Sequence, residues 1–133
     1  MDKKLVYIAS PYTKGDQALN VRFQMRIWDV LLDLGVVPVA PLWSHFQHMH
    51  SPRTYDEWVA YDNEIIKRCD VLVRLDANES TPAGPYTMRE SPGADAEVAL
   101  ALSLGKPVCY SIFELAFLLG KVSQLEAMSW SER

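Results

Sequence analysis

Apolar residues follow two rhythms along this chain. Residues 5–9, 36–40, 70–75 and 106–112 are short runs dominated by apolar side chains without polar alternation. Such runs are the pattern of strands buried on both faces. Pro38 lies inside the second run and predicts an edge position, because proline donates no ladder hydrogen bond. Between the runs the spacing changes to three and four. Val21, Met25, Trp28, Leu31 and Leu32 predict a helix over 17–34 that Gly35 stops. Thr54 and Glu57 form a capping box that starts a second helix carrying Trp58, Tyr61, Ile65 and Ile66. Ser91 as N-cap, Pro92 in the first helical position and Gly105 as stop signal frame a third. A terminal helix is expected over 113–128, with Gly120 as a weak point or turn. Residues 10–16, 41–53 and 76–90 break both rhythms and are expected to be loops, the second rich in aromatics.

Alternation of buried strands with helices predicts an α/β fold, a doubly wound parallel sheet of about four to five strands with helices on both faces. In such sheets ligands bind beyond the carboxyl ends of the strands. That edge collects the three long loops and the cap at Ser91, whereas the opposite edge has only tight turns at Gly35, Cys69 and Gly105. The asymmetry itself argues for a site.

With 133 residues the chain is expected to form one domain, 1–133. A net charge of −4 argues against a nucleic-acid polymer as partner, since phosphate neutralisation requires clustered Lys and Arg. No apolar run approaches the ~18 residues of a membrane span, and residues 1–9 lack a signal-peptide pattern. Cys69 and Cys109 have no metal-binding spacing and are expected to be reduced core thiols of a cytoplasmic protein. No cofactor is expected: the glycine-rich dinucleotide fingerprint, the P-loop and the serine-hydrolase elbow are all missing.

The stretch 91–97, Ser-Pro-Gly-Ala-Asp-Ala-Glu, is the richest in chemistry. A helix N-terminus tends to hold an anion. Gly93 and Glu97 are four apart and share a face, so a ligand can lie on the first turn with the Glu97 carboxylate at its far side. The bland alternative is a capped helix with a solvated Glu97. Asp62 falls on the preceding helix at the same sheet edge, and a carboxylate pair there suits chemistry at an anomeric carbon. Asp70 starts a strand at the far edge and is expected to be a turn or cap residue. His45, His48 and His50 lack the companions of a metal site, so none is assigned. Trp43 and Phe46 either stack on a nucleobase or close the sheet edge.

Taken in order, segments 6–12, 41–45, 58–62, 69–73, 91–101 and 105–108 resemble the nucleoside 2-deoxyribosyltransferase superfamily, in particular its short bacterial and phage branch. The likeness runs from Lys4 to about Ile112. It implies a flavodoxin-like fold and no cofactor. It also implies an enzyme whose glutamate, Glu97 by position, attacks C1′ of a (deoxy)nucleoside or its 5′-monophosphate. The family's sugar-contacting aspartate falls on Asp62, and Ser10, Tyr12 and Ser91 match positions that hold the 5′ group. Trp43 and His45 are expected near the base and Gly93 near the sugar. The chain departs from phosphate-preferring members by lacking a Gly-Gly-Arg-type run after the first strand, and it carries a longer insert at 80–90 in which Tyr86 or Arg89 could reach the ligand. A homodimer or higher homo-oligomer is implied, and the apolar terminal segment with Phe113, Phe117, Leu118 and Trp130 is a candidate interface. Glu97 must be ionised to attack; its ordinary pKa of ~4.3 meets that at neutral pH unless burial raises it, and the nearby helix dipole favours the ionised form.

The leading expectation is therefore an N-glycosidic-bond enzyme with a covalent glycosyl–Glu97 intermediate, resolved by water or by a second base. The alternative is a catalytically silent nucleotide-binding module of the same fold. A phosphoribohydrolase of the lysine-decarboxylase-like group is disfavoured, because its Gly-Gly-x-Gly-Thr run is absent.

Overall fold

The computed structural model describes residues 3–76 and 90–128. The elements in order are β1 (Leu5–Ala9), α1 (Gln17–Leu34), β2 (Val37–Val39), a 3₁₀ turn (Pro41–Trp43) and α2 (Ser44–His50). These are followed by α3 (Tyr55–Arg68), β3 (Val71–Arg74), α4 (Pro92–Ser103), β4 (Val108–Cys109), α5 (Ile112–Leu118) and α6 (Val122–Glu126). The four strands form one parallel sheet in the order β2-β1-β3-β4. This is the flavodoxin-like doubly wound arrangement, in which the chain leaves β1 toward one side for β2 and toward the other for β3.

Strand residues alternate between the two faces. Val6, Ile8, Val71 and Val73 meet Phe23, Ile27, Val30 and Leu31 of α1 together with Ile112, Leu115 and Ala116 of α5. On the other face Tyr7, Ala9 and Leu72 meet Ile66 of α3 and Ala94 and Ala101 of α4. The small side chains of α4 let its backbone lie close to the sheet, which brings the polar residues of its first two turns within reach of β1.

The helix caps follow the sequence signals. Asp16 accepts from Leu19 N–H at 3.1 Å, Thr54 Oγ1 from Glu57 N–H at 3.2 Å, and Ser91 Oγ from Ala94 N–H at 3.4 Å. Gly35 closes α1 with φ of 95°, a left-handed conformation that glycine adopts without a Cβ clash. β2 is an edge strand, as Pro38 predicts, with Pro38 opposite Val6 in the register. Asp70 is structural: its Oδ2 accepts from Leu5 N–H at 2.8 Å and ties the start of β1 to the start of β3.

Three expectations need correction. Residues 41–53 are not a continuous loop, because the 3₁₀ turn and α2 occupy most of them. No residue of α2 is buried, so no apolar period marks it in the sequence. The expected terminal helix is two helices, α5 and α6, divided at Gly120 with φ of 69°. Strands expected over 70–75 and 106–112 shorten to four and two residues, and Ile112 begins α5 instead. Tyr86, Arg89 and most of the 80–90 insert, like Trp130, lie outside the described residues. Among the described residues no helix is long and apolar enough to cross a membrane.

Candidate active site

Tyr7, at the centre of β1, points to the α3–α4 face, and its hydroxyl donates a hydrogen bond to Glu97 Oε2. A phenol buried in an otherwise aliphatic strand needs such a partner. Asp62 approaches from α3. Its charge acts on both Glu97 and Tyr7, and its Oδ1 is buried without a hydrogen-bond partner among the described residues. Two carboxyls and a phenol from three different elements therefore meet over the carboxyl half of β1.

Burial governs the protonation of this cluster. Desolvation pushes Glu97 up to about 8; the Tyr7 hydrogen bond opposes that rise, Asp62 reinforces it and Arg74 opposes it. Asp62 is pushed up to about 7 by desolvation. Tyr7 is raised well above its ordinary value by burial and then by the two carboxyls. Burial thus raises Glu97 out of the ordinary carboxylate range, the exception to an ionised resting form. Glu97 is the sixth residue of α4, beyond the first turn to which the dipole effect is confined, and desolvation wins. The two carboxyls titrate as a pair.

Arg74, at the end of β3, supports the cluster from beneath. It is fully buried; its Nε donates to Asp95 Oδ1 at 3.2 Å and one terminal nitrogen to Leu75 O at 2.6 Å. Asp95 Oδ2 in turn accepts from Ser91 N–H at 3.2 Å. Asp95 thereby pins the first turn of α4 to the end of β3 and sets where Glu97 stands two residues later. The helix start is largely satisfied from within the chain, by the Ser91 hydroxyl and the Asp95 carboxylate.

The remaining expected site residues lie on the loop after β1, the 3₁₀ turn, α2 and the start of α4. Ser10 is buried and its Oγ accepts from Gln24 Nε2 at 3.0 Å, which leaves its own proton free to donate. The Tyr12 hydroxyl and His45 Nδ1 share a hydrogen bond of 2.6 Å that joins the loop after β1 to α2. Trp43 is half exposed, with its ring tilted on Trp28 at a centroid distance of 5.6 Å. His48 faces away to α3, its Nδ1 accepting from Trp58 Nε1 and Arg53 N–H at 3.0 and 3.1 Å. Gly93 is exposed on the first turn of α4, and a Cβ built there meets nothing within 4 Å.

Gly93→Ala consequently leaves the fold intact or gains about 0.5 kcal/mol, since alanine is the better helix former. If a ligand lies against that turn, the same methyl occupies its space. Thermal unfolding and ligand titration of this variant should diverge: an unchanged or higher Tm with binding weakened about tenfold or more. Unchanged binding would remove Gly93 from the site.

Sequence patterning missed Tyr7 and the Arg74–Asp95 pair. The available signal was a phenol at a position whose neighbours two residues away, Leu5 and Ala9, are apolar, and an arginine closing a buried strand. An apolar hollow lined by Cys109, Phe113, Glu114, Phe117 and Leu118 shares no residue with this cluster.

The fold and the site together define a doubly wound parallel α/β domain with a partly buried carboxyl pair on the α3–α4 side of the sheet. No protein-family model matches the chain, and no curated protein matches it significantly.

Proposed function

We propose that this protein cleaves the N-glycosidic bond of a (deoxy)nucleoside or its 5′-monophosphate by double displacement at Glu97. The observation that carries this reading is the Glu97 carboxyl held by the Tyr7 hydroxyl beside an Asp62 whose buried oxygen has no partner among the described residues. A buried polar atom left unsatisfied is costly, and on this reading a sugar hydroxyl or the leaving base is its partner.

The pair needs one proton between them. With Glu97 raised further than Asp62, the shared proton rests mainly on Glu97; the productive form is the minor arrangement, with Glu97 ionised, which the Tyr7 hydrogen bond favours, and the proton on Asp62. Glu97 Oε attacks C1′, the C1′–N bond breaks, and the base leaves with the Asp62 proton. Water then attacks C1′, releases Glu97 and returns its proton to Asp62. A second base in place of water, losing its own proton to Asp62, gives base exchange. kcat/KM should therefore pass through a maximum, falling in acid as the pair takes up a second proton and in alkali as it loses its last one. A rate that rises steadily to pH 10 contradicts this assignment.

The same proposal includes self-association and a water-filled compartment such as the cytoplasm. Exposed Phe113, Phe117 and Leu118 on α5, with Leu102 and Leu104 at the end of α4, support the first as apolar surface needing cover.

The direct test is incubation with common ribonucleosides, 2′-deoxynucleosides and their 5′-monophosphates, followed by chromatography for free base. Base release supports the enzyme, and a second added base separates transfer from hydrolysis. Binding without release identifies a silent binding module instead.

A further inference from the structure

We propose that Asn20 and Gln24 are positioning residues that set the two walls of the site, Gln24 by standing in for a missing stretch of sheet and Asn20 by holding the loop after β1. The two are one turn apart on α1 and buried at 4% and 0% exposure, positions where an aliphatic side chain would serve the core better. Each amide nitrogen uses both of its hydrogens. Asn20 Nδ2 donates to Tyr12 O at 2.9 Å and Lys14 O at 2.8 Å. Gln24 Nε2 donates to Ile8 O at 3.1 Å and Ser10 Oγ at 3.0 Å, and its Oε1 accepts from Leu42 N–H at 2.8 Å.

The register shows why Gln24 is needed. Val37 N–H donates to Lys4 O at 2.8 Å, and a parallel ladder advances by two residues on each strand. The pattern places Val6 C=O against residue 39 and Ile8 C=O against residue 41. Residue 41 is Pro41, which has no N–H. The ladder between β1 and β2 stops there, and the Gln24 side-chain amide takes over as a surrogate peptide group. It donates to β1 and accepts from the chain beyond β2. The two chains are held together through a side chain, not through direct pairing, so they diverge at this point. Ser10 and Tyr12 lie on one branch and Trp43 and His45 on the other. Asn20 fixes the first branch one turn further out, and the Tyr12–His45 hydrogen bond joins the branches again at their tips.

Neither amide touches Tyr7, Asp62 or Glu97, which stand on β1, α3 and α4. Loss of either amide should therefore loosen the walls and leave the reacting groups in place. The kinetic part of this inference rests on the function proposed above; the structural part does not. Gln24→Met keeps the side-chain length and removes every hydrogen bond. Asn20→Ala is the milder variant, because its carbonyl partners lie on a loop that water can reach.

For both, KM on the best substrate of the nucleoside and nucleotide panel should rise about tenfold or more, with kcat within about twofold of wild type. The imidazole NMR signals of His45 should move while the circular dichroism spectrum stays native. Unchanged KM with shifted folding stability overturns the proposal, as does a fall in kcat that matches a loss of folded protein. If Gln24→Met fails to fold, Asn20→Ala alone decides by the same criteria. If the wild type cleaves nothing in the panel, the proposed function fails separately. The His45 signals then decide this inference: movement supports it and constancy overturns it.

Discussion

Glu97→Gln abolishes base release, lowering kcat/KM by ~10³-fold or more, because removal of a covalent nucleophile takes away the step that all later chemistry depends on. The amide keeps an oxygen that accepts from the Tyr7 hydroxyl, so the hydrogen bond across the α4–β1 contact persists. Folding and ligand binding should be retained. Glu97→Ala is the harsher change, leaving the Tyr7 hydroxyl buried without its partner at a cost of about 1–3 kcal/mol. Asp62→Asn separates the two roles. It preserves shape but can neither give nor take the proton, and a loss of ~10²-fold or more is expected, within the usual range for general acid–base catalysis. Free base measured by chromatography against time gives all three rates. Turnover of Glu97→Gln at the wild-type rate would show that the reaction does not pass through this carboxylate.

The second large effect concerns stability and pH. Glu97 and Asp62 are raised by burial to about 8 and about 7, from ordinary values near 4 in the unfolded chain. Between these limits the native state binds more protons than the unfolded state, so stability falls as pH rises. It is highest below the unfolded pKa values and is lost as the pH passes through the folded ones. The decline runs across pH 5 to pH 8.5 and is expected as a fall in Tm on the order of 10 °C. Glu97→Gln removes one of the two buried acids and should flatten the curve, leaving the variant more stable than wild type at pH 8.5. Thermal unfolding monitored by circular dichroism across that range checks both statements. A wild-type Tm that rises between pH 5 and pH 8.5 would mean that the pair is solvated. Stability given up at a functional site is a common exchange, and here its physical origin is a carboxyl pair held out of water.

How much of this was legible beforehand differs between the sheet and the site. The strands declared themselves because buried parallel strands need unbroken apolar runs, and Pro38 marked the edge because its ring forbids a ladder bond. Ser91, Thr54 and Gly35 marked helix ends through local chemistry that tertiary packing did not disturb. α2 was invisible for the opposite reason: with no buried residue it has no apolar face to leave a period. Glu97 and Asp62 were located by their places on two helices that converge on one sheet edge. Their protonation was not, since desolvation depends on what surrounds a carboxyl and not on its neighbours in sequence. Tyr7 was hidden within an apolar run, where a phenol reads as one more core residue until its partner is known. Gln24 and Asn20 were likewise hidden within a helix whose apolar stripe was clear without them, because Gln24's role depends on Pro41 in another element and Asn20's on the carbonyls of the loop after β1.

The central claim is a covalent bond between C1′ of the sugar and the Glu97 carboxylate. It is tested most directly by acid-quenching the wild-type protein during turnover of the best panel substrate and mapping its peptides by mass spectrometry. The account predicts a pentosyl increment, or its 5′-phosphate, on the tryptic peptide beginning at Glu90, localised by fragmentation to Glu97. A sugar bound to any other residue, or base released rapidly while Glu97 stays unmodified, would contradict it.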